Sequence, residues 1–298
     1  MSQTNNLDAK AILANLGIND AESVEPVTGG MDTSIWRVLL GDQFYALRVF
    51  RPEQAETCER EVAAMEAART GGVTVPDVIQ RGVWEKRPVL LLSWINGMPF
   101  AQALPKYPAK IWTLGTAFGR EQAAIHRINP PENFDPDAWI EWAGDEPALK
   151  TRLYDLPSRQ TKLLHLDYHP LNVMVDGSRV SGVLDWANAR AGDPRADFAR
   201  TYTILRVEPH GPNGDSPLMA VVRRVLERAW RRGYRQAGGA PDDMALFYAW
   251  AGAAMVCDLS PRIGKPGHWL EDQHLDPVRE WTTMWKRRAG IKPLAVSF

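Results

Sequence analysis

A chain of 298 residues is one large domain or two modest ones, at roughly 100–200 residues per domain. Its 35 Lys and Arg against 36 Asp and Glu leave a net charge of -1, so it offers no electrostatic footprint for nucleic acid or an anionic membrane, and a small-molecule partner is expected. Hydrophobic residues at 45% and charged ones at 24% are ordinary globular proportions, which speaks against disordered and fibrous classes.

In chain order, a short helix is predicted near Leu7 to Leu16, ended by Gly17. Ser34 to Leu40 and Phe44 to Phe50 are rich in β-branched, aromatic and aliphatic residues; Gly41-Asp42-Gln43 joins them into a hairpin. Alternation along the second strand puts Phe44, Ala46, Arg48 and Phe50 on one face. Pro52 to Thr70, full of Ala and Glu and stopped by Gly71-Gly72, reads as a helix. A second hairpin joins Val78–Trp84 to Pro88–Trp94 across Glu85-Lys86-Arg87. The Gly-containing connection Ile95-Asn96-Gly97 is the expected domain boundary, giving a sheet-rich unit over 1–97 and a helical one over 98–298. That second unit opens with a helix near Ala109 to Arg127. Two short strands follow, Val173 to Val175 and Val180 to Leu184, and then helices near Arg195–Val207, Leu218–Ala237, Asp242–Leu259 and Asp276–Arg287. The plan is α+β, with a cleft between lobes.

The apolar stretch Ala245 to Cys257 falls short of the ~18 residues that suggest a membrane span and reads as a buried helix. The N-terminus lacks a basic segment followed by an apolar core, so a cytoplasmic protein is expected. Cys58 and Cys257 form no CxxC pair and read as buried thiols in a reducing compartment.

The stretch that carries chemistry runs from His165 to Asp197. It holds His165-x-Asp167, then Asn172, the short hairpin, and Asp185 at the end of the second strand. Phosphoryl transfer from a nucleotide needs a carboxylate to accept the acceptor hydroxyl's proton and oxygen ligands for Mg²⁺. Asp167 suits the first role; Asn172 and Asp185 suit the second, because the hairpin brings residues 13 positions apart to neighbouring strand ends. Two other readings stand beside this one. Asp167, Asn172 and Asp185 are also ordinary loop and turn formers, and His165, Asp167 and His169 alternate in a way that suits zinc and a metal-dependent hydrolase. Neither a Walker G-x-x-x-x-G-K-[ST] nor a dinucleotide G-x-G-x-x-G is present.

These residues make the sequence resemble the aminoglycoside phosphotransferase and choline kinase family, distant relatives of protein kinases. The family's H-x-D-x-x-x-x-N stands here as HLDYHPLN, its I-D-W as Leu184-Asp185-Trp186, and its G-D-P-x-x-D-[LF]-A as Gly192 to Ala199. The resemblance implies a bilobal protein-kinase-like fold and transfer of the γ-phosphate of ATP, or GTP, to a small-molecule alcohol with Mg²⁺. It implies that Asp197 anchors the catalytic loop through backbone hydrogen bonds, while an N-cap role for Asp197 stays open. Thr28 to Ser34, with Gly29, Gly30 and Ser34, stands where such a fold places the loop over the phosphates. Arg48 stands where the family usually has a Lys that contacts phosphate and pairs with a helix Glu, for which Glu61 is the candidate beside Glu59 and Arg60. An ordinary surface pair is the alternative for Arg48 and Glu61. Ser93 and Ile95 resemble the connector whose backbone binds adenine, and His126 reads as a packing histidine. The departure at Arg48 leaves a nucleotide-binding pseudokinase as the alternative function. The acceptor is not legible; Trp250, Asp258, Trp269, Glu271 and Asp272 are candidates for a cationic or ring-bearing alcohol, and core and solvated surface are an equal reading of them.

Overall fold

Asp8 opens helix α1 (Ala9–Asn15) by accepting from the N–H groups of Lys10 and Ala11, and Gly17 at φ 81° turns the chain away after it. The computed structural model describes residues 7–27, 33–157, 159–209, 211, 216–238, 241–265 and 268–291. Strands β1 (Ser23–Pro26), β2 (Ser34–Leu40) and β3 (Gln43–Val49) lead into α2 (Ala55–Thr70), and β4 (Val78–Trp84) and β5 (Arg87–Ser93) complete an antiparallel sheet of order β1-β2-β3-β5-β4. The β4–β5 turn is tighter than the three residues predicted. Glu85 and Lys86 alone form it, both at positive φ, the twist that suits a two-residue hairpin.

Period-two alternation in β3 splits its side chains between two cores. Leu47 and Val49 join Trp36, Val38, Val89 and Leu91 under Ile12 and Leu13 of α1. Phe50, with Leu90 and Leu92, packs on Cys58, Ala64 and Met65 of α2. Arg48 shares the α2 face, as the alternation predicts, and this single fact aims it at the site described below.

The second part begins with β6 (Met98–Pro99) and α3 (Phe100–Lys106), followed by α4 (Ile111–Ile125), α5 (Pro147–Tyr154), β7 (Lys162–Leu164), β8 (Val173–Asp176), β9 (Arg179–Val183) and β10 (Arg190–Gly192). Helices α6 (Pro194–Val207), α7 (Pro217–Gly238), α8 (Ala245–Leu259) and α9 (Asp276–Arg288) complete it. The strands form two small sheets, β6-β8-β9 and β10-β7. Sequence reading does not anticipate β6, α3, α5, β7 or β10, because strands of two or three residues are too short to show a period and α3 carries Pro105 near its end.

Helices α4 and α7 touch backbone to backbone. A Cβ built on Gly119 would sit 1.9 Å from the Trp230 carbonyl oxygen, and one on Gly233 would sit 1.9 Å from that of Thr116, so each glycine is the notch for the other helix. One apolar cluster runs from Phe50 and Leu90 of the first part through Phe118 to Tyr168 and Trp186 of the second. Helix α8 is buried over most of its length, as its composition implies; Cys257 near its end is exposed, contrary to the expectation for that thiol, while Cys58 is buried. No helix among the described residues is long and apolar enough to cross a membrane.

Candidate active site

Strand β7 delivers His165, and the chain then turns through Leu166 at φ 60°, a left-handed conformation that a leucine adopts only when its surroundings hold it there. Asp197, fully buried in the first turn of α6, supplies that hold. Its Oδ2 accepts from the His165 N–H at 3.0 Å and its Oδ1 from the Leu166 N–H at 2.8 Å. His126 donates from Nε2 to Asp197 Oδ2 at 2.9 Å and meets the Tyr234 hydroxyl through Nδ1 at 2.7 Å. Burial raises the Asp197 pKa, but the His126 hydrogen bond and charge, with His165, outweigh it and hold the carboxyl below its ordinary value. The N-cap of α6 is Asp193, whose side chain accepts from the Arg195 N–H, so the capping reading of Asp197 is set aside. His126 is a buried hydrogen-bonded link rather than packing alone.

The ring of His165 ties two loops together. Its Nδ1 accepts from the Asp167 N–H at 3.2 Å, which leaves Nε2 to donate to the Leu184 carbonyl at 3.0 Å. Burial lowers its pKa, in keeping with this neutral tautomer. With both nitrogens committed, His165 is no zinc ligand, and no group of three or more His, Cys, Asp or Glu side chains able to hold a metal occurs among the described residues. The three side chains of the zinc reading are thus not assembled as a ligand set.

Asp167 follows, half-buried. Asn172 donates from Nδ2 to the Asp167 carbonyl at 3.0 Å and to Oδ2 at 3.1 Å, and His169 Nε2 stands 3.5 Å from Oδ1. Burial pushes the Asp167 carboxyl up, yet His169, Arg200 and His165 together lower it to about 2, so it is ionised at neutral pH. Because the Asn172 amide nitrogen is engaged, its Oδ1 is the atom left to face a cation. The Leu184 N–H donates to the Asn172 carbonyl at 2.8 Å, setting Asp185 beside this loop.

Asp185, also left-handed at φ 60°, is met from the sheet by Arg48, whose Nη2 lies 3.1 Å from Oδ1. Arg48 Nη1 donates to Glu61 Oε1 at 2.5 Å and Nε to Thr33 Oγ1 at 3.1 Å. Arg48 and Glu61 are 8% and 1% exposed, which rules out the ordinary surface pair. Burial lifts the Glu61 pKa to about 7 against the pull of Arg48. Glu59 instead pairs with Arg81, and Arg60 donates to the Ala187 carbonyl.

The remaining candidates divide. Gly29 and Gly30 lie outside the described residues; Ser34 begins β2, opposite Val49. The Ser93 N–H is taken by the Asp77 carbonyl at 2.9 Å, and Ile95 lies over Gly182, where an added Cβ would meet its Cγ2 at 2.8 Å. The connector therefore crosses β9. The five acceptor candidates do not assemble into one cluster. Trp250 is fully buried and donates to the Trp139 carbonyl, Asp258 pairs with Arg200, and Asp272 pairs with Arg279. Glu271 accepts from Gln273, and Trp269 meets His274 edge-on. Sequence reading misses Arg200, whose Nε donates to the Leu166 carbonyl at 3.3 Å. Its place three residues after Asp197, on the same helix face, was the available signal.

A sequence model of the phosphotransferase enzyme family matches residues 23–155 and 146–247. Among curated proteins, the uncharacterized protein YcbJ of Bacillus subtilis strain 168 is 42% identical over 73 residues, which is 23% of this chain and 20% of that protein. The match thus spans about a fifth of that relative's length. Among solved structures, aminoglycoside phosphotransferase APH(4)-Ia superposes with a TM-score of 0.67 at 15% identity over 95% of this chain and 98% of its own. A thermostable mutant of it, in ternary complex with AMP-PNP and hygromycin B, gives 0.65 at 16% identity over 95% and 99%. Aminoglycoside phosphotransferase APH(3'')-Id from Streptomyces rimosus, in complex with ADP and streptomycin, gives 0.56 at 18% identity over 84% and 99%. At these identities the likeness is one of fold.

Proposed function

The chain belongs to the phosphotransferase enzyme family, and from that premise we propose that it transfers the γ-phosphate of ATP, or of GTP, to a hydroxyl group of a small molecule. The observation that carries this reading is the convergence of Asp167, Asn172 and Asp185 on two loops bonded to each other through His165 and Leu184. In this reading residues 1–97 form the nucleotide side, with Gly29, Gly30 and Ser34 over the phosphates and the Ser93–Ile95 connector at the base, and residues 98–298 form the acceptor side. The complexes of the fold relatives with AMP-PNP or ADP and a hydroxylated small molecule support the pairing of nucleotide and alcohol.

Asp167 orients the acceptor hydroxyl and takes its proton. A carboxyl lowered to about 2 is a weak base, which suits a loose transition state in which the proton leaves late. The donor set fits magnesium: one carboxylate, Asp185, and one amide oxygen, Asn172, are the few hard oxygen ligands this ion takes from protein when phosphates supply others. Magnesium, when bound, would neutralise charge on the phosphates. Arg48 has five N–H donors, of which three meet Thr33, Glu61 and Asp185, leaving one on each Nη for phosphate. Its pairing with Glu61 favours an active enzyme over a nucleotide-binding pseudokinase.

The test is incubation with Mg²⁺-ATP and a panel of alcohols, reading ADP and phosphorylated product by mass spectrometry. Transfer that depends on Asp167 is the expected result; transfer undiminished in Asp167→Asn would assign the base elsewhere.

A further inference from the structure

We propose that Arg60 of α2 is a positioning residue for Asp185, closing a ring of contacts that holds this carboxylate by its side chain and its backbone at once. This inference rests on the reading of Asp185 as a magnesium ligand and deepens it by naming what aims that ligand.

Three consecutive side chains of α2 serve three different partners. Glu59 pairs with Arg81 of β4. Glu61 accepts from Arg48 Nη1, and Arg48 Nη2 in turn lies 3.1 Å from Asp185 Oδ1. Arg60 reaches the same loop two residues further on, where its Nε and Nη2 both donate to the Ala187 carbonyl, at 3.3 and 3.1 Å. The path from Arg60 through Ala187, Asp185, Arg48 and Glu61 therefore returns to α2 one residue from where it left. Neighbours on a helix project about 100° apart, so an adjacent pair can grasp one loop at two points.

The stretch between the two points is short and stiff. Trp186, between Asp185 and Ala187, is fully buried; its Nε1 donates to the Val183 carbonyl at 3.1 Å, and its ring centroid lies 4.7 Å from that of His165. The Ala189 N–H closes back onto the Trp186 carbonyl at 2.9 Å. A pull on Ala187 is thus passed to Asp185 rather than absorbed. Asp185 stands at φ 60°, a conformation that persists where its surroundings over-determine it. Its side chain is 44% exposed, so Arg48 and the backbone decide where it points, not close packing. Arg60 is fixed in its turn: it is half-buried, burial lowers its pKa, and Nη2 also donates to Thr57 Oγ1 at 3.2 Å, one turn earlier on α2. A charged donor makes a stronger hydrogen bond than a neutral one.

The test is the gain in ATP affinity that Mg²⁺ brings, measured on the full chain by calorimetry with Mg²⁺ and again with EDTA. In Arg60→Ala that gain should shrink about tenfold, the scale of hydrogen bonds from a charged group, while affinity for metal-free ATP stays within about twofold. Arg60→Lys should restore part of the gain, since one ammonium can still donate to the Ala187 carbonyl. If Arg60→Ala does not fold, Arg60→Gln, which keeps only a neutral donor of shorter reach, takes its place with the same expectation. A merely structural role for Arg60 lowers the melting temperature and leaves the magnesium gain unchanged, and that result overturns the proposal. So does an equal loss of affinity with and without Mg²⁺. A gain that persists in Arg60→Ala but vanishes in Asp185→Ala removes this inference and leaves the metal reading standing. A wild-type chain whose ATP affinity gains nothing from Mg²⁺ removes the metal reading of Asp185, and this inference with it.

Discussion

The loops around Asp167 and the segment after α8 balance their charges over different distances along the chain. Around the candidate site, Asp197 reaches back 31 and 32 residues to the backbone of Leu166 and His165, and Asp185 meets Arg48 from 137 residues away. In the segment after α8, the acidic side chains pair locally, Asp272 and Asp276 with Arg279 and Glu271 with Gln273, and Lys286 reaches far, to Glu146 140 residues away. Long-range pairs hold separate elements in one geometry before any substrate arrives, whereas pairs within a turn or two only staple their own helix. Substitutions on the two sides should therefore differ sharply in effect.

The largest effect is expected at Asp167. Asp167→Asn should lower turnover by about 10²–10⁴-fold with nucleotide affinity nearly intact, because a base acts in the transition state; steady-state rates beside a calorimetric Mg²⁺-ATP titration check it. Next is Arg48→Ala, which leaves Glu61 buried without its counter-charge. Breaking a buried pair costs about 3–5 kcal/mol, so a large fall in melting temperature and in Mg²⁺-ATP affinity should appear together. Arg48→Lys should recover part of both, since one ammonium reaches Glu61 but not also Thr33 and Asp185. A variant that melts and binds like the wild type would detach Arg48 from the site.

Asp197 comes third. Its folded pKa lies below the unfolded value of roughly 3.9, so the stability it contributes is present above that pH and is lost as pH falls through the folded pKa. Asp197→Asn should lower stability at neutral pH, by about 1–3 kcal/mol for a buried network missing an acceptor, and flatten the acid limb of the stability curve. A parallel acid limb in both proteins would contradict the assignment. The smallest effect is at Arg279→Ala, on the other side of the comparison. With its partners exposed and local, the melting temperature and turnover should not change measurably.

How much of this was legible follows the same divide. The stretch that carries the candidate site is contiguous in sequence, so HLDYHPLN, Asp185 and the stretch from Gly192 to Ala199 can be read together, and strand alternation gives the face of Arg48, while Glu61 as its partner comes from the family resemblance. For Trp250 the core reading holds and the cleft reading does not, a choice that sequence leaves open because only the Trp139 carbonyl, 111 residues away, separates the two. Asp258 failed for a related reason, its guanidinium partner lying 58 residues upstream. The shortest strands carried no pattern to read.

The close approach of α4 and α7 at Gly119 and Gly233 gives the second part of the molecule an unyielding spine. Two helices whose backbones touch have no side-chain layer between them to absorb a shift. Near its C-terminal end helix α7 carries Tyr234, which reaches the loop of His165 and Leu166 through His126 and Asp197. The loop that carries Asp167 therefore hangs from a rigid frame, and a side chain added at either notch should disturb that loop from a distance, without touching it.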